Sequence, residues 1–151
     1  MSALSTILDT VVTAVTALGL TLGTTALPVV KRKLPKKQET VDAGAQITVS
    51  GTVDVDRQRP WAFGAAGQAQ YRVDYRIAVT LICPNDNDAY SNLDAYTQFR
   101  ETIRQAFRGG ALSGTDVFDM RFDNGPFLDR GDLHDGYDYQ QVVILMGTIE
   151  S

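Results

Sequence analysis

An α+β fold, with two helices packed on an antiparallel or mixed sheet of about five strands, is the class this sequence predicts. Three observations predict it. Two stretches carry apolar residues at helical spacing, two others alternate apolar and polar residues, and the last extended stretch is apolar at consecutive positions.

The first helix is marked by Leu4, Ile7, Leu8, Val11, Val12, Val15 and Leu18, one apolar stripe faced by Thr and Ser, with Gly19 or Gly23 to end it. Ala26 to Lys33 then reads as a short extended segment around Val29 and Val30, with Pro28 and Pro35 typical of an edge. From Gln46 to Asp56, Ile47, Val49, Val53 and Val55 share one face of a strand. From Tyr71 to Ile82 the apolar residues fall on odd positions, with Arg72, Asp74, Arg76 and Thr80 on even ones.

The second helix has a Ser91–Asp94 capping pattern and a buried stripe of Leu93, Tyr96, Phe99, Ile103 and Phe107, stopped by Gly109 and Gly110. Its stripe is expected to pack on the odd positions of the Tyr71–Ile82 strand. Two strands close the chain. In the first, Phe118, Met120 and Phe122 alternate with Asp119, Arg121 and Asp123. The second, Tyr137 to Ile149, is apolar on both faces from Val142 to Met146, which places it inside a sheet. The expected order is α-β-β-β-α-β-β. Arg57 to Gln70 and Asp123 to Gly136 remain as long connections, of the kind that usually carry function.

A chain of 151 residues predicts one domain over 1–151 with a core that needs no staples. The one cysteine, Cys83, permits no intramolecular disulfide and points to a reducing compartment. A net charge of −4 argues against a general nucleic-acid binder. That charge is uneven: residues 1–50 are net basic and residues 111–151 strongly acidic, which suits subunits that meet through unlike surfaces. The uncharged run from Thr10 to Val30 is long enough to be taken for a membrane span. Its threonines, Gly19, Gly23 and Pro28, its periodicity and the absence of a basic flank argue for an amphipathic helix and a turn instead.

Residues that could carry chemistry are few. His134 lies among Asp129, Asp132, Asp135 and Asp138, where a polar loop rich in turn formers explains the composition better than a metal site. The run Pro84 to Asp88 begins like a calcium loop but lacks its glycine and closing Glu. Arg130-Gly131-Asp132 is too short a match to mean integrin binding. Cys83 ends an apolar strand and reads as a small core residue. No base, nucleophile and orienting group assemble from one His and one Cys, so no catalytic, cofactor or metal site is expected.

Two features suit partners. The basic run Lys31, Arg32, Lys33, Lys36 and Lys37 is either a protected strand edge or a contact for an acidic neighbour or for passing DNA, and Asp129, Asp132 and Asp135 could supply the acidic side. Arg59, Trp61 and Phe63 sit in the glycine-flanked connection, where exposed aromatics are either tucked onto their own domain or anchors for a partner.

The order of elements, the proline-flanked segment Leu27 to Pro35 after the first helix, and the Tyr71–Ile82 strand leading into a capped helix together resemble the tail terminator (tail completion) proteins of long-tailed bacteriophages. The resemblance covers nearly the whole chain as a pattern of elements. It implies a non-enzymatic virion protein, assembled in the host cytoplasm, that closes into a ring, commonly a hexamer. Such a ring sits on the last ring of tail tube protein, stops polymerisation, and presents a surface to the head-side connector. DNA passes through its lumen without sequence-specific binding, and no membrane is involved. Another head–tail joining or tube protein is the nearest alternative, and a small ligand-binding or catalytic α+β domain a more distant one.

Overall fold

The computed structural model describes residues 2–22, 25–31, 45–63, 69–84, 93–123 and 137–150. Helix α1 (Ala3–Ala17) starts at Ser2, whose hydroxyl accepts a hydrogen bond from the Ser5 N–H at 3.2 Å. Ile7, Val11 and Val15 are buried, and Leu4, Leu8, Val12 and Leu18 flank them, so the apolar stripe is the docking face. On the outer face the hydroxyls of Thr6, Thr10, Thr13 and Thr16 each donate to the carbonyl four residues back. Gly19, with φ of 62°, takes the left-handed turn that ends the helix.

A two-residue hairpin that the sequence did not announce follows, β1 (Thr21–Leu22) and β2 (Thr25–Ala26). Then come β3 (Val29–Lys31), β4 (Gln46–Phe63), β5 (Ala69–Pro84), α2 (Leu93–Ala106), β6 (Val117–Phe122) and β7 (Tyr137–Glu150). The main sheet has the order β3-β4-β5-β7-β6. β3 runs parallel to β4 and all other pairings are antiparallel, so the sheet is mixed. The fold is α+β, with two helices and five strands in that sheet. The doubly apolar strand β7 is interior, flanked by β5 and β6.

Both helices lie on one face. Gly51 of β4 faces Leu4 and Leu8 of α1, on the same side as Ile77 of β5. The Cys83 sulfur, also on an odd position of β5, lies 2.7 Å from the Tyr96 hydroxyl of α2. Odd residues of β4 and β5 and even residues of β7 join the helix stripes in one core, centred on Ile47, Val49, Ile77, Val79, Ile144 and Met146. The stripe of α2 is Tyr96, Phe99, Ile103 and Phe107, as its spacing predicts. It packs chiefly over β7 rather than over β5. The helix ends at Ala106, ahead of Gly109 and Gly110, neither of which has a positive φ.

The long connection expected between the first two long strands is mostly strand. Pairing of β4 with β5 continues through Pro60↔Tyr71 and Ala62↔Gln70 to Phe63↔Ala69. Register shifts between Val53 and Val55, Asp56 and Pro60, and Pro60 and Ala62 explain why this is hard to read. Each bulge resets the alternation of faces, and Pro60 cannot donate to a ladder, so the period-two pattern stops while the strand goes on.

Candidate functional site

The face of the sheet away from the helices carries the most organised polar chemistry among the described residues. Even positions of β4 and β5 and odd positions of β7 point to it. Asp74, Gly147 and Asp119 form one row across β5, β7 and β6. Arg72 lies across this row: its Nε donates to Asp74 Oδ1 at 2.8 Å and its Nη2 to Asp119 Oδ2 at 2.7 Å. Gly147 makes the crossing possible, because a Cβ there would lie 2.8 Å from Arg72 Nη2 and 3.0 Å from Asp74 Oδ1.

The guanidinium is well covered, its side chain 12% exposed and that of Asp74 7%. Burial alone would push its pKa down. The hydrogen bond to Asp119, reinforced by Asp74, outweighs that and holds it above its ordinary value. The Phe118 ring lies 5.2 Å from the same guanidinium, within cation–π range. Arg121 Nε adds a second cation 3.3 Å from Asp119, and Arg76 pairs with Asp123. Charges of alternating sign therefore run across three strands.

Beside this ladder, Ser50, Gly51, Thr52, Arg76, Ala78, Gln141 and Val143 line a shallow groove of about 390 Å³. Further along, Gln141 Nε2 donates to Thr80 Oγ1 at 3.1 Å, while the side-chain oxygens of Gln46 and Thr48 are buried with no hydrogen-bond partner among the described residues. Such a surface positions and pairs charges. Rigid, pre-paired groups of this kind suit recognition between proteins.

The site residues expected from sequence are placed as follows. Lys31 is the last residue of β3, exposed, with its Nζ 2.6 Å from Asp9 Oδ1 of α1. Arg32, Lys33, Lys36, Lys37, Asp129, Asp132 and Asp135 lie outside the described residues, as do His134 and Ser91. The backbone of Arg59, Trp61 and Phe63 belongs to β4, not to a connecting loop. Cys83 is buried in the core. Among the described residues no three His, Cys, Asp or Glu side chains cluster as a metal site would require, and no helix is long and apolar enough to cross a membrane.

What reading by sequence missed is the ladder itself. Its components were visible as alternating charges on two strands, Arg72, Asp74 and Arg76 on one and Asp119, Arg121 and Asp123 on the other. The strand order that inserts Gly147 between them was not. No family model matches the chain, and no curated protein does.

Proposed function

We propose that this chain is a structural subunit of a long-tailed phage tail, a terminator that closes into a ring, most simply of six copies, on the end of the tail tube. In this reading it stops tube polymerisation and offers its other side to the head connector, while DNA passes through the lumen. The role is mechanical and requires no catalytic group or cofactor.

The observation that carries the reading is the division of the sheet into two unlike faces. One face is backed by the two helices, whose outer side, Thr-rich on α1, is the surface there, and the other holds a pre-paired charge ladder. A ring subunit needs two different surfaces for its neighbours on either side. The element order, an N-terminal helix, a set of strands, a second helix and two closing strands, supports the resemblance to terminators.

The test is direct. Purified protein is added to polymerising tail tube protein and the tubes are viewed by electron microscopy. Tubes should become shorter, with a ring at one end. Unchanged tube lengths and bare ends would overturn the reading.

A further inference from the structure

We draw no further inference here: the strongest candidate, the shallow groove on the open face of the sheet rimmed by Ser50, Thr52, Arg76 and Gln141, carries nothing, because Arg76 is already paired with Asp123 of the same chain and nothing in the structure shows what covers the groove.

Discussion

On the helix side of β5, Ile77 and Val79 are fully buried among Ile47, Val49, Ile144 and the stripes of α1 and α2. On the other side of the same strand, the even positions Arg72, Asp74 and Arg76 hold a line of paired charges. The covered face is held by area removed from water, which is tolerant of small shifts in direction. The open face is held by a few directional contacts that fail if one partner goes. The difference assigns the two faces different work: the first keeps the domain folded, and the second is a defined polar surface kept in one geometry.

The largest effect should come from the centre of the ladder. Arg72→Met leaves the Asp74 carboxylate covered and facing Asp119 with no cation between them. Removing one partner of a buried pair costs about 3–5 kcal/mol, which a shift of the urea midpoint would read. Adding Asp74→Leu should recover much of that loss, because an apolar pair in place of a buried ionic one is close to neutral. The guanidinium has its pKa raised, so its contribution is complete below its ordinary value and lost only in strong alkali. Its part should therefore be flat from neutral to mildly alkaline pH. A loss below about 1 kcal/mol would place the ladder with ordinary surface pairs and erase the contrast between the faces.

Much of the covered face was legible in the sequence, because burial imposes a period. The stripes of α1 and α2, the odd positions of β5 and the interior placement of β7 all follow from spacing. The open face was only half legible. Alternating charges on β5 and β6 announce a polar surface, but which strands are neighbours is set by chain topology, and β7 returns between them. Bulges hid the outer half of β4, since Arg57-Gln58-Arg59-Pro60 breaks the alternation that would have marked it. The β1–β2 hairpin was too short to show any period.

Two glycines, one on each face, sharpen the comparison at a smaller scale. At Gly51 a Cβ would meet Ile77 Cδ1 at 2.7 Å, Leu8 Cδ2 at 3.0 Å and Leu4 Cδ1 at 3.2 Å. Gly51→Ala should cost about 1–3 kcal/mol by pushing α1 off the sheet. Gly147→Ala should cost a similar ~1–3 kcal/mol, but by lifting Arg72 from its carboxylates. Combination with Arg72→Met separates the two. The Gly147 penalty should nearly vanish in that background, whereas the Gly51 penalty should add in full. Equal additivity for both, measured by urea unfolding of the three single and two double variants, would show that Gly147 does not act through Arg72.

The smallest effect is expected at the sheet's edge, and it separates folding from assembly most cleanly. Lys31 reaches Asp9 at 2.6 Å, tying β3 to α1, yet both side chains are nearly half exposed. An exposed pair of this kind is worth about 0–1 kcal/mol and weakens with salt. Lys31→Met should therefore lower stability by no more than about 1 kcal/mol in low salt, with the difference fading as salt rises. The same substitution removes an exposed positive charge from the edge of the sheet, where the proposed ring could use it against a neighbour. Association followed by light scattering should weaken by more than the stability change accounts for, and the deficit should be largest at low ionic strength. Should unfolding midpoint and association fall together by the same free energy at every salt concentration, Lys31 acts only through α1, and the edge carries no charge-guided contact.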